Sequence, residues 1–407
     1  MFENYRYPGE FERVSDVFMS WLPDYVDAGG YDNRKTCVEI VGALAGHARL
    51  HINCGSEGIL EKCRKRLEEG GIDTSQIIFT QFEDTNFYVR DNGPSIMVND
   101  KGGKIAINPN WSYYGVWDPE GEESLVARRA GMHMALSLGC FDIINSDLVS
   151  EGGDREFNGD GIMIAIEDTE CRKRNPRYTK EQVEEEYKRL YNLRKIIWLP
   201  KPILEDDDYR IGPLEYKDGV PVFGSSFAAH ADEMCRFVGR NKILLAEVTE
   251  EEAANSKANQ VTKERLDEAY EILSKATDAH GNPFEIVRMP VTAPIEYVLK
   301  PDDPDYDMYK SFLDDGKFWD GTPWPDGDVH FYASTSYCNF LMCNDVVLTQ
   351  KYYREGLDPV IKEKDEKAKA VFEKCFPDRK IVTIDTLALN MSGGGIHCWT
   401  KEVGAAQ

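Results

Sequence analysis

The feature that most constrains this 407-residue chain is a recurring order of short elements: two apolar strands around a tight turn, an amphipathic helix, then a returning strand. From Met234 the chain reads MCRFVG, RN and KILLAEV, then a helical segment, then FEIVRMP. Within that segment Thr262–Ala276 spaces Leu266, Tyr270 and Leu273 along one helical face. The order returns with NFLMC, ND, VVLTQ, a charged helix ending in Val371, Phe372 and Cys375, and KIVTID. It appears again around GIMIAIE, where Thr179 and Gln182 stand at capping-box spacing and Val183, Tyr187, Leu190 and Tyr191 form an apolar stripe before KIIWLP. A fourth copy runs through PSIMVND, KGG, KIAIN, a helix over roughly 122–138, and FDIINS. Strand-like stretches at both ends (ARLHINC and IIFTQF early, IHCWTKEV late) would assemble a fifth unit and close the set. The competing arrangement is an ordinary layered α/β domain without symmetry.

Two segments interrupt the pattern. Residues 203–222 are rich in Pro, Asp and Gly and end in a hairpin signal, EYKDGVPVFG. Residues 301–328 carry nine Asp, two Trp and two Tyr. Long insertions of this kind are functional lids or disordered excursions, and the aromatics favour a packed surface loop. The expected organisation is one catalytic domain over 1–407 with these two insertions.

Charge narrows the partners. The formal net charge is −24, which leaves no electrostatic means of holding a phosphate backbone or an anionic membrane surface. No apolar run approaches bilayer length, and MFENYRYPGEFERV has no basic start or apolar stretch for a secretory signal. The ten cysteines are scattered without a CxxC pair, which points to free thiols in a reducing, cytoplasmic compartment.

Chemistry-bearing residues stand just before the first strand of each unit. They are Arg90-Asp91-Asn92-Gly93, Glu151-Gly152-Gly153-Asp154, His230-Ala231-Asp232, Tyr337 with Asn339, and Gly393-Gly394-Gly395-Ile396-His397-Cys398. A cysteine and a distant histidine can form a nucleophile and proton-transfer pair. A protease or amidase would have no use for the carboxylates beside them. They suit a planar cationic electrophile, since a guanidinium presents a rigid fork of N–H donors to paired carboxylates. Asp91 and Asp232 would then hold the guanidinium while Cys398 attacks its central carbon. Taken singly, each residue has a plainer reading: a turn-forming Asp, a glycine loop, a buried thiol. His397, beside the cysteine, is the best candidate for a structural histidine.

In order and spacing these motifs resemble the agmatine deiminase and bacterial-type peptidyl-arginine deiminase family of the guanidino-modifying (pentein) superfamily. The resemblance runs through PGEFE with Trp21 and Pro23, RDNGP at 90–94, EGGD at 151–154, Arg174-Asn175-Pro176 and IIWLP. It continues through HAD at 230–232, SYCNF at 336–340 and GGGIHCWT at 393–400. It implies a five-bladed pseudo-symmetric α/β propeller around a central active site, and hydrolysis without metal or cofactor. By the same resemblance Cys398 is the nucleophile, His230 the general acid and base, Asp91 and Asp232 the guanidinium carboxylates, and Glu151 the carboxylate orienting the histidine. Asn339 is an implied polar residue of the substrate-binding site, and Gly395 with the nearby backbone an implied site-shaping element there. Members of that family are often homodimers.

The substrate-contacting positions depart from the family pattern. Asn86 and Tyr88 stand where agmatine deiminases carry Asp and Trp, and Tyr114-Gly115 replaces a Trp-Gly pair, with Trp111 and Trp117 nearby. Ala229 replaces the usual glycine before the histidine, and Gly404 a frequent proline. Tyr88 and Trp111 are expected at the substrate. The reading is deimination of a small cationic guanidine, agmatine first, with peptidyl-arginine or free arginine as the alternative. A silent guanidine-binding protein fits less well, because no catalytic residue is lost, and so does an amidinotransferase, which would pass the amidino group to an amine rather than to water. The charge surplus on the Asp-rich insertion is expected to solvate the surface.

Overall fold

The structure, a computed structural model, describes residues 4–21 and 32–406, so Pro23 lies outside the described residues. Five of its six sheets share one plan: the first strand runs antiparallel to the second, the second runs parallel to the third, and a helix connects the parallel pair. The first unit comprises Ser95–Val98, Lys104–Asn110, the helix Glu122–Ser137 and Asp142–Val149. The second comprises Glu156–Phe157, Ile162–Ile166, the helix Lys180–Tyr191 and Lys195–Leu199. Cys235–Gly239, Lys242–Glu247, the helices Glu250–Asn255 and Lys257–Lys275, and Glu285–Pro290 form the third. Leu341–Cys343, Val346–Lys351, the helix Pro359–Cys375 and Lys380–Asp385 form the fourth. The fifth joins the chain's two ends: Thr400–Gly404 pairs antiparallel with Val14–Ser20, and the helix Asn33–Leu44 leads to the parallel strand Arg49–Asn53. A further strand, Ile77–Thr80, extends that sheet.

The local chemistry accounts for these elements. Thr179 caps its helix by accepting from the Gln182 amide while the Gln182 side chain accepts from the Thr179 amide. Val183, Tyr187, Leu190 and Tyr191 bury that helix against its own sheet. In the long helix of the third unit Leu266 and Leu273 are buried, but Tyr270 is 42 % exposed. Its ring lies beside the Arg288 guanidinium on the surface, so it is not part of the apolar face.

The hairpin of the first insertion and the two strands that flank the second form the sixth sheet. The expected hairpin, Glu215–Lys217 with Val220–Gly224, pairs in parallel with Val329–Tyr332, which pairs with Glu296–Leu299. Residues 301–328 then pack on this sheet through Phe318, Trp324 and Tyr309 against Phe223 and Phe331. No helix among the described residues is long and apolar enough to cross a membrane. All ten cysteines are free, nine of them buried.

Buried ion pairs tie the units together. Glu10 pairs with Arg90 at 2.8 Å and also contacts Arg236. Arg90 reaches Glu402 in the first strand of the fifth unit. Arg236, in the first strand of the third unit, meets Glu156 of the second at 2.6 Å and donates to the Cys338 and Phe340 carbonyls beside the fourth. Removing one member of a buried pair leaves an uncompensated charge, which costs about 3–5 kcal/mol. Glu10→Ala is therefore expected to lower unfolding stability by about that amount, read as a shift in the urea midpoint at constant m-value. An unchanged midpoint would show that the cluster does not hold the units.

Candidate active site

Equivalent positions in the five units deliver the candidate residues to one place. Asp91 lies on the helical turn Val89–Asn92 that leads into the first unit. Glu151 precedes the turn Gly152–Asp154 before the second, and His230 precedes Ala231–Glu233 before the third. Asn339 comes just ahead of Leu341–Cys343, and Cys398 sits on the turn Ile396–Trp399 that runs into the fifth-unit strand. All five side chains are buried.

Gly153 shows how closely they converge. A Cβ there would lie 2.6 Å from His230 Nδ1 and 3.1 Å from carboxylate oxygens of both Asp91 and Asp232. Any side chain at 153 would fill the space these three groups share. Gly395 is similarly confined, with a Cβ 2.4 Å from Gln350 Oε1 and 2.7 Å from Asn339 Oδ1.

His230 lies between two carboxylates, with Nδ1 3.7 Å from Asp91 and Nε2 3.5 Å from Glu151. Neither ring nitrogen has a hydrogen-bond partner among the described residues. Burial works against the imidazolium, but the charges of Asp91 and Glu151 outweigh it and raise His230 to about 10. Its backbone is fixed by its amide, which donates to Asp206 at 2.7 Å. Ala229, at φ +61°, occupies the left-handed region that glycine adopts freely, so the substitution noted in the sequence places strain beside the histidine.

Each carboxylate has its own support. Asp91 accepts from the Tyr114 hydroxyl at 2.8 Å and the Gly153 amide at 2.9 Å. Glu151 receives Arg174 Nε at 2.9 and 2.8 Å on its two oxygens. Burial opposes its ionisation, yet the Arg174 and His230 charges hold its carboxyl below the ordinary value. Asp232 Oδ2 meets His397 Nδ1 at 2.6 Å and accepts from Asn339 at 3.2 Å, while buried Oδ1 has no partner among the described residues.

Cys398 faces a strongly anionic environment. Its Sγ lies 3.0 Å from Asn339 Nδ2 and 3.9 Å from oxygens of both Asp232 and Glu233. Burial and the charges of Asp232, Glu233 and Asp91 push the thiol well above its ordinary value, against a smaller backbone contribution from Gly395. Glu233 is itself raised, by burial and by Asp206 and Asp232. Without a bound cation the resting pair is a neutral thiol and a charged imidazole.

Cys398 and Asp91 open onto a cleft whose walls include Tyr88, Tyr113, Tyr114 and Phe227 together with Asn86, Asp305, Met308 and Tyr309. Among the described lining residues Asp91 and Asp305 are acidic, and none is basic. Trp111 is not on this wall. It is 2 % exposed and packs edge-on behind Tyr114, whose ring takes the place at the site expected for the tryptophan. Gly395 shapes the Asn339 neighbourhood and is not on the wall either.

Four contributors escaped the sequence reading. Glu233 adjoins Asp232 in the HAD run, and Arg174 lies in a quoted motif but had no role assigned. Tyr114 was read as an altered Trp position. His397, expected to be structural, has both ring nitrogens on carboxylates: Asp232 at 2.6 Å and Glu10 at 2.8 Å. It thereby links the site to the inter-unit ion cluster.

Fold and site together define a class of repeat-built α/β proteins with a buried cysteine–histidine centre framed by carboxylates. The Porphyromonas-type peptidyl-arginine deiminase family matches the chain over residues 6–212 and 216–403, and the chain belongs to that family. It is 26 % identical to a putative agmatine deiminase of Streptococcus mutans over 98 % of this chain and 96 % of that protein. Against the agmatine deiminase of Pseudomonas aeruginosa the identity is 25 %, covering 98 % and 95 %. The solved structure of the Enterococcus faecalis agmatine deiminase superposes with a TM-score of 0.77 at 23 % identity, over 100 % of this chain and 97 % of that one.

A raised thiol has a direct consequence. Inactivation by iodoacetamide, followed as labelling of Cys398, should be slow at neutral pH and still be rising beyond pH ~8.5, where an ordinary thiol is half ionised. A cationic haloacetamidine, which brings positive charge to the carboxylates, should label faster at every pH. Equal neutral-pH rates for the two reagents would show that the carboxylates do not restrain the thiol.

Proposed function

We propose that the protein is a cysteine-dependent hydrolase of linear guanidines, converting a guanidinium to a ureido group and ammonia, with agmatine as substrate and N-carbamoylputrescine as product. The observation that carries this reading is the convergence of Asp91, Asp232 and His230 around Gly153, with Asp232 3.9 Å from Cys398 Sγ, beside a cleft that Asp91 and Cys398 line and that has no basic residue among those described. Free arginine would bring its α-carboxylate into a cleft that offers no positive partner. Agmatine, which lacks that carboxylate, meets no such penalty. The agmatine deiminases among the relatives support the same substrate. We also read residues 1–407 as one catalytic domain, with the five sheets arranged as blades of a propeller and two insertions on its rim.

The residues assign the steps. The guanidinium donates to Asp91 and to Asp232 Oδ1, and its charge offsets those that hold the thiol protonated, so Cys398 can ionise, releasing its proton to solvent, where the departing ammonia takes it up. The thiolate forms a C–S bond to the guanidinium carbon. His230 gives its proton to the departing nitrogen, and the C–N bond breaks to release ammonia and leave an amidino-thioether. Neutral His230 then takes a proton from water, whose oxygen adds to the same carbon. The C–S bond breaks as the added hydroxyl passes its remaining proton to the departing sulfur, so the ureido product leaves with the neutral thiol and the charged imidazole restored. Glu151, held by Arg174, keeps the imidazole oriented and favours its charged form.

Ureido product formation from agmatine, arginine and an arginyl peptide, measured in parallel, tests the reading. Agmatine is expected to give the highest kcat/KM, Cys398→Ala no product, and Asp232→Asn a loss of about tenfold or more for a charge-assisted contact. On the alkaline side kcat/KM should fall near pH 10, as His230 loses the proton it must donate. No ureido product from any of the three substrates would reject the proposal.

A further inference from the structure

The Asp-rich insertion does more than solvate the surface. Its short helix Tyr306–Ser311 begins directly after Asp305, and Asp305, Met308 and Tyr309, at i, i+3 and i+4, all line the cleft that opens on Cys398. Asp305 is 7 % exposed, unlike the solvated acids around it. It is the second carboxylate of the cleft wall, after Asp91. The segment is fastened in place: the Tyr309 hydroxyl donates to the Ser225 carbonyl at 2.7 Å, and the Tyr209 hydroxyl donates to the Tyr309 carbonyl at 2.7 Å.

The other polar groups of that wall carry no charge. Asn86 lines the cleft, but its amide nitrogen is engaged by the Tyr88 carbonyl at 2.7 Å and the Asn92 side chain at 3.2 Å. Rings of Tyr88, Tyr113, Tyr114 and Phe227 make up much of the remaining wall, a surface suited to methylenes. The cleft thus has a carboxylate at the nucleophile, an apolar wall, and a second buried carboxylate brought in by the insertion. A ligand complementary to it has two cationic groups joined by an alkyl chain.

We propose that Asp305 is a specificity-determining residue that receives the terminal ammonium of the substrate. The inference rests on the guanidine-hydrolase reading above and adds where the far end of the substrate is recognised. A uniform binding contact of this kind acts on KM and not on the chemical step.

The test compares agmatine with n-butylguanidine, which keeps the guanidinium and alkyl chain but lacks the ammonium, in the wild-type protein and in Asp305→Asn and Asp305→Glu. The wild type should favour agmatine in kcat/KM. Asp305→Asn should raise the agmatine KM about tenfold or more with kcat little changed. It should leave n-butylguanidine unaffected, so that the preference collapses. Asp305→Glu, which keeps the charge, should retain it. An Asp305→Asn protein that keeps the wild-type preference overturns the proposal. So does one that loses both substrates together, because Asp305 would then hold the segment and not the ammonium. Absence of turnover of either guanidine by the wild type would instead reject the hydrolase reading itself.

Discussion

Glu10 is the interaction on which the rest of the molecule depends. It neutralises Arg90 and Arg236, two buried guanidiniums on or beside the first strands of different units, and it meets His397 next to the nucleophile. Apolar packing within a sheet stabilises one unit but does not fix its angle to the next. Directional ion pairs between first strands do, because a guanidinium accepts only a few geometries of partner. The active-site residues stand immediately before those strands. Whatever fixes the strands fixes the spacing of Asp91, His230 and Cys398. The site therefore rests on rigid elements, although each of its residues lies in a short turn.

The same economy governs its electrostatics. A carboxylate beside a thiol suppresses the thiolate and beside an imidazole favours the imidazolium. Asp91 does both here, raising Cys398 and His230 together. These carboxylates thus set a weak nucleophile beside a ready acid, which disfavours reaction with anything that does not bring positive charge. In the proposed reaction a bound guanidinium offsets the carboxylates at the sulfur while His230 stays charged for the leaving group. Selectivity for cations and activation of the nucleophile arise from one set of charges.

The repeats were legible because strand and helix periodicities are local, and because turn residues recur at the same place in each unit. Cys398, His230, Asp91, Glu151 and Asn339 could be selected from the sequence for that reason. Arg174 could not, since a guanidinium 23 residues from Glu151 gains its role only when the second unit folds back on itself. Glu233 was hidden by its neighbour Asp232. Trp111 and Tyr114 were confused because residues three apart in an irregular turn give no periodicity from which to tell which ring faces the cleft. At Tyr113, Tyr114 and Gly115 the backbone is left-handed three times in succession, a conformation that no pattern of side chains announces.

The insertions were the least legible part, and the reason bears on how such proteins diversify. Composition marks residues 301–328 as acidic and aromatic, but their place depends on the pairing of the strand that follows them, Val329–Tyr332, with the distant strand Val220–Gly224, an association that no local signal encodes. Once formed, the added sheet stands outside the five units and leaves the ion pairs between their first strands untouched. It can carry Asp305, Met308 and Tyr309 to the cleft without disturbing Cys398 or His230. A segment free of the structural ion pairs can change its residues at little cost to the fold. The reacting groups, by contrast, are bound through His397 and Glu10 to the contacts that hold the units together. On the proposed reading, chemistry and substrate choice fall on parts of the chain under different physical constraints.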